Sequence, residues 1–69
     1  MFEIKIKLYT INSQIIRQIT EEVDSVDMDY WYLKLPTYFD FAANVAGMTF
    51  HINDEFKLGL FNKVDEAFN

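Results

Sequence analysis

Ser13-Gln14-Ile15-Ile16-Arg17-Gln18-Ile19-Thr20-Glu21-Glu22-Val23-Asp24 is the stretch whose reading decides the fold. Ile15, Ile16, Ile19 and Val23 fall at spacings that share one helical face, while Gln14, Arg17, Gln18, Glu21 and Glu22 take the other. Asn12-Ser13 supplies an N-cap pair in front of them. The β-branched residues lower helix propensity, but strict alternation fails at Ile15-Ile16. The spacing therefore predicts a helix over about 13–24.

Ahead of this stretch, Phe2, Ile4, Ile6 and Leu8 alternate with Glu3, Lys5, Lys7 and Tyr9, the pattern of a half-buried strand. After it, Val26 to Leu35 is rich in aromatic and branched residues and is stopped by Pro36, which predicts a second strand. Val26, Met28, Tyr30 and Tyr32 would share one face of it, and Trp31, Leu33 and Leu35 the other. Thr37 with Asp40 resembles a capping box and Gly47 a C-terminal cap, so a short helix is expected over Tyr38–Ala46.

Met48 to Phe61 supports two readings. In one, Met48, Phe50 and Ile52 form a strand and Asn53-Asp54 caps a helix with Phe56, Leu60, Val64 and Phe68 on its buried stripe. In the other, Asn53-Asp54-Glu55 is a hairpin loop that pairs Ile52 with Phe56, Phe50 with Leu58 and Met48 with Leu60, with a terminal helix over Asn62–Phe68. Gly59 in a helix centre favours the hairpin. The expected class is α+β over residues 1–69 as a single compact domain. Its three- or four-stranded, largely antiparallel sheet would pack against two or three short helices in the order β-α-β-α-β-(β)-α.

The chain has 69 residues, and a domain of this size buries only about 60% of the surface its unfolded state exposes. Its 51% hydrophobic and 17% aromatic content lies far from the composition of disordered chains. There is no cysteine, which excludes a disulfide scaffold and thiolate metal sites. Met1-Phe2-Glu3-Ile4-Lys5 lacks the features of a signal peptide, and the uncharged run Phe41–Asn53 is too short to cross a bilayer. A cytoplasmic protein with no membrane partner is expected. The net charge of -5 repels polyanions and favours cationic partners.

Catalytic chemistry is sparse. Ser13 and Ser25 sit at expected helix ends, and His51 is the lone histidine. Asp24, Asp27 and Asp29 lack the glycine and closing glutamate of a calcium loop, and Gly47 and Gly59 are too few for a phosphate cradle. No enzyme activity, cofactor or metal is expected.

Half of the aromatic residues lie in one window, Tyr30, Trp31, Tyr32, Tyr38, Phe39 and Phe41, preceded by Asp24, Asp27 and Asp29. Tyrosine and tryptophan recur at binding hot spots, and acids around them suit a basic partner. Asp27, Asp29, Tyr30, Trp31 and Tyr32 are therefore the candidate contact residues of a non-catalytic interaction module. By analogy of size and charge alone, such a module would inhibit or regulate a basic protein in the manner of small acidic proteins of phages and mobile elements. Two other readings accompany it: an aromatic patch closing on a second copy to give a homodimer, and weak single-strand nucleic-acid binding through Lys5, Lys7 and Tyr9, with Lys57 beside them. The second of these suffers from Glu3 on the same face and from the overall negative charge.

Overall fold

A computed structural model describes residues 1–40 and 44–61. The order of elements is β1 (Phe2–Tyr9), β2 (Ile15–Val23), α1 (Met28–Lys34), a 3-10 segment (Leu35–Asp40), β3 (Gly47–Ile52) and β4 (Glu55–Phe61). All strand pairs are antiparallel, and the sheet runs β2-β1-β3-β4. The fold is thus mostly sheet with one helical stretch, not a sheet under two or three helices.

The decisive stretch is a strand. Ser13 adopts a left-handed φ of 65°, its N–H donates to the Thr10 carbonyl at 2.9 Å, and the Thr10 N–H donates to the Gln14 carbonyl at 2.8 Å. This turn folds β2 back on β1, where Ile6 faces Ile19 and Leu8 faces Arg17. The ladder then shifts so that Tyr9 faces Ile15, leaving Ile16 as an extra residue. The Ile15-Ile16 pair that breaks the alternation is therefore a β-bulge within a strand. The run Ile15, Ile16, Ile19, Thr20 and Val23 suits a pleated surface better than a helical one.

The expected strand Val26–Leu35 is the helix. Asp27 caps it: its side chain accepts from the Asp29 N–H at 3.1 Å and the Tyr30 N–H at 3.3 Å. Asp29 in the first turn and Lys34 in the last complement the helix dipole. Pro36 has no N–H to donate back, and the chain tightens into the 3-10 segment at Leu35. Thr37 Oγ1 donates to the Lys34 carbonyl at 2.6 Å instead of capping a new helix, so the helix expected over Tyr38–Ala46 is absent from its described part, and Gly47 begins β3. The expected terminal helix Asn62–Phe68 lies outside the described residues.

The hairpin reading of Met48–Phe61 holds with a corrected loop. Asn53 (φ 52°) and Asp54 (φ 65°) make a two-residue turn, and Ile52 faces Glu55. Met48 faces Leu60 and Phe50 faces Leu58 as expected, but a register shift next to the turn places Phe56 opposite His51. Phe56 therefore lies on the face away from the helix.

One face of the sheet carries Ile4, Ile6, Leu8, Met48 and Phe50, which with Trp31, Leu35 and Val45 form a core whose members are at most 2% exposed. Trp31 and Leu35 are four residues apart and share the helical face turned to the sheet. The Trp31 ring lies 5.4 Å from that of Phe50. No buried side-chain nitrogen or oxygen among the described residues lacks a hydrogen-bond partner.

Candidate functional site

The residues singled out in the sequence separate on the helix. Trp31 is 2% exposed, whereas Tyr30 and Tyr32 are 51% and 58% exposed, with Leu33 beside them also exposed. Trp31 is thus part of the core, and it is the tyrosines that a partner could touch. Tyr30 packs edge-on against Trp31 with ring centroids 5.1 Å apart, which orients it from below. Asp27 spends its carboxylate on the helix cap and Asp29 occupies the first turn, both at the surface.

These carboxylates belong to a larger acidic end that the register assembles. Glu21, Glu22, Asp24, Asp27 and Asp29 are all exposed, and the sequence has no lysine or arginine between Arg17 and Lys34. Glu3 lies directly opposite Glu22 across the β1–β2 ladder, an unfavourable like-charge pair. On the other flank of β1, Ile4 faces Ile52, bringing the Asn53-Asp54 turn to the same end. There the Asn53 N–H donates to the Glu3 carbonyl and the Glu3 N–H to Asn53 Oδ1, each at 2.9 Å. Among the described residues, no ion pair engages Glu21, Glu22, Asp24, Asp27 or Asp29.

The lysines of the opposite sheet face are differently placed. Lys5 Nζ lies 2.7 Å from Asp54 Oδ1 and 3.9 Å from Glu3 Oε1. The Asp54 hydrogen bond raises the Lys5 pKa above its ordinary value, and the same bond lowers that of Asp54. Lys57 Nζ sits 3.1 Å from Glu55 Oε1. Two of the cations that could meet a phosphate backbone are thus already beside carboxylates, which argues against strong nucleic-acid binding on this face.

That face also holds a groove of about 650 Å³ lined by Tyr9, Thr49, Phe56, Phe61 and the two glycines. Its volume falls within the range of small-molecule sites, but it is an open groove on the sheet surface and not an enclosed cavity. Of its lining residues, Thr49 has its Oγ1 2.9 Å from Nε2 of His51, which lies outside the groove, and its hydroxyl reaches the Tyr9 hydroxyl at 3.5 Å. Nucleophilic catalysis by such a pair needs a third group to orient the histidine. Among the described residues, no carboxylate accepts a hydrogen bond from the His51 ring to supply one. Burial, followed by the charges of Lys7 and Lys5, pushes the His51 pKa below its ordinary 6.5.

No group of histidine, cysteine or acidic side chains among the described residues is arranged to hold a metal ion. No described helix is long and apolar enough to cross a membrane. Neither tyrosine exposure nor the acidic end could be read from alternation, since both depend on the helix and on the strand register. Comparison with protein-family models, with curated proteins and with solved structures returns no match to this chain.

Proposed function

We propose that the protein is a non-catalytic binding module of the cytoplasm that seats its acidic end and the tyrosines of α1 on a basic surface of another protein, as an inhibitor or regulator of that protein. The observation that carries this reading is the acidic run Glu21–Asp29, whose carboxylates make no ion pair among the described residues, leading directly into exposed Tyr30 and Tyr32. Carboxylates not neutralised by a neighbouring cation keep their attraction for an external one, and they speed encounter with a basic surface. Tyrosines add contact area at low conformational cost and can form hydrogen bonds through their hydroxyls. Trp31 beneath them holds the helix in place and makes no contact with the partner.

Affinity capture from cell lysate tests the reading when the captured proteins are purified and titrated directly. Wild type should bind proteins rich in lysine and arginine, with affinity falling steeply between about 0.1 and 0.5 M salt. A D24N/D29N/Y30A/Y32A variant, which leaves the Asp27 cap and the core intact, should lose them. Equal binding by that variant, or binding indifferent to salt, would sink the proposal.

A further inference from the structure

We infer that the β2 edge is a self-association surface, on which a second copy of this chain adds antiparallel to β2 about a two-fold axis at Ile19. Edge strands present unpaired N–H and C=O groups that another strand can complete, and proteins commonly blunt them with lysine, proline or a bulge. The two edges of this sheet differ in that respect. The β4 edge carries its irregularity and Lys57 within the strand. The β2 edge has neither lysine nor proline, and beyond its bulge at Ile16 the ladder from Arg17 to Val23 is unbroken.

The sequence of that run is self-complementary. Directly opposed residues share a face of the sheet, and a two-fold axis normal to the sheet pairs residues of equal parity. With the axis at Ile19, Ile19 faces its own copy, Gln18 faces the partner's Thr20, and Arg17 faces the partner's Glu21. The Arg17 contact occurs twice by symmetry. All three of Arg17, Ile19 and Glu21 lie on the helix-bearing face, because they stand opposite Leu8, Ile6 and Ile4 of β1. Moving the axis by one residue either way loses both ion pairs, setting Arg17 against Ile19 or against Val23. Arg17 has interactions within its own chain, and the five donors of a guanidinium leave capacity for a further acceptor.

Antiparallel pairing also suits the charge distribution. It lays Glu22 and Val23 of each copy beside the uncharged Ile15-Ile16 end of the other, so two chains of net charge -5 meet with their acidic ends apart. The two four-stranded sheets join into one of eight strands, leaving the tyrosines of α1 in place on each copy. The competing role for Arg17 and Glu21 is protective: charges turned to the core face of an edge strand can also repel a partner strand.

Sedimentation and native mass spectrometry at about 100 µM distinguish the two. Wild type should be dimeric. R17E and E21R should each weaken the homodimer by about tenfold or more, because each turns both ion pairs into like-charge contacts. An equimolar mixture of R17E and E21R should form a heterodimer of wild-type strength, since opposite charges then face each other at both sites. Both positions are exposed, and the heterodimer itself reports that the variants fold. A strictly monomeric wild type, a dimer indifferent to R17E, or a mixture no tighter than the separate variants would each overturn the inference. The proposed basic partner plays no part in these outcomes.

Discussion

The two faces of the sheet are built from the same strands in alternation, yet they do opposite things. On the covered face, Ile4, Ile6, Leu8, Met48 and Phe50 are at most 2% exposed under Trp31 and Leu35. On the open face, the intervening Glu3, Lys5, Tyr9, Thr49 and His51 make ion pairs and hydrogen bonds at or near the surface. No polar or charged residue among the described ones is buried in the core on the covered face, so the contribution of that core to stability is burial and contact. The open face has surface ion pairs, which contribute little individually. In so small a chain, folding therefore rests on the covered face and on the helix that closes it. The open face and the acidic end are left free to vary with function.

Removing the lid should break this division most completely. Trp31→Ala leaves a large void against Phe50, and such truncations cost about 3–5 kcal/mol. A small domain whose total stability is on the order of 5 kcal/mol would be largely unfolded, which urea titration followed by circular dichroism would detect. Tyr32→Ala, next in sequence but 58% exposed, should stay within about 0.5 kcal/mol of wild type. Equal costs at both positions would refute the placement of the helix. Asp27→Ala keeps the lid but removes its cap from the Asp29 and Tyr30 N–H groups, at about 1 kcal/mol, read by the same titration.

The open face offers a finer contrast at its two glycines. A methyl group at Gly47 would lie 3.2 Å from the Leu60 carbonyl oxygen, backbone that cannot swing aside, whereas at Gly59 the nearest atom is 3.6 Å away. Neither glycine has a positive φ. Gly47→Ala should therefore destabilise by about 1 kcal/mol, while Gly59→Ala should be neutral or stabilising by up to about 1 kcal/mol through the unfolded chain. Thermal melts of the two variants should move in different directions, and a matched loss at both would mean that Gly59 is as tightly packed as Gly47.

What could be read from the sequence follows the same division. β1 was plain because its alternation is unbroken and one face is wholly buried. For the β3–β4 hairpin, Asn53-Asp54 suits either a helix cap or a loop and only Gly59 tips the reading to the hairpin, while the two-residue turn and the register shift that turns Phe56 outward are not legible. β2 carries a helical spacing by accident, because one extra residue, Ile16, spoils its period of two. α1 reads as a strand in the sequence because Tyr30, Trp31 and Tyr32 favour strands. Its capping bonds to Asp29 and Tyr30 are local chemistry that outweighs those propensities once Trp31 has a core to enter. Trp31 stands apart from Tyr30 and Tyr32 under either period, so their separation was legible. Which of them faces water was not, because that depends on where the sheet lies. The acidic end was visible only in part: Asp24, Asp27 and Asp29 lie together in the sequence, but Glu22 is set opposite Glu3, and the Asp54 turn brought to the same end, only through strand register.

The smallest effect probes the open face without altering the fold. His51 sits opposite Lys5, its ring 5.8 Å from Phe56 and its Nε2 against the Thr49 hydroxyl. Partial burial is the first cause of its lowered pKa, with Lys7 and Lys5 adding to it and Asp54 opposing. As pH falls, an unfolded chain takes up the proton first, near 6.5, and the folded chain only below that. The contribution of neutral His51 to stability is thus complete above 6.5 and is lost as pH drops through the folded value. A ring-proton NMR titration should give a midpoint below 6.5, and Lys7→Gln should move it part of the way back, because burial remains when the charge is gone. A midpoint at or above 6.5 would mean that Phe56 does not cover the ring. The open face would then be more hydrated than the packing of Phe56 beside Gly59 implies.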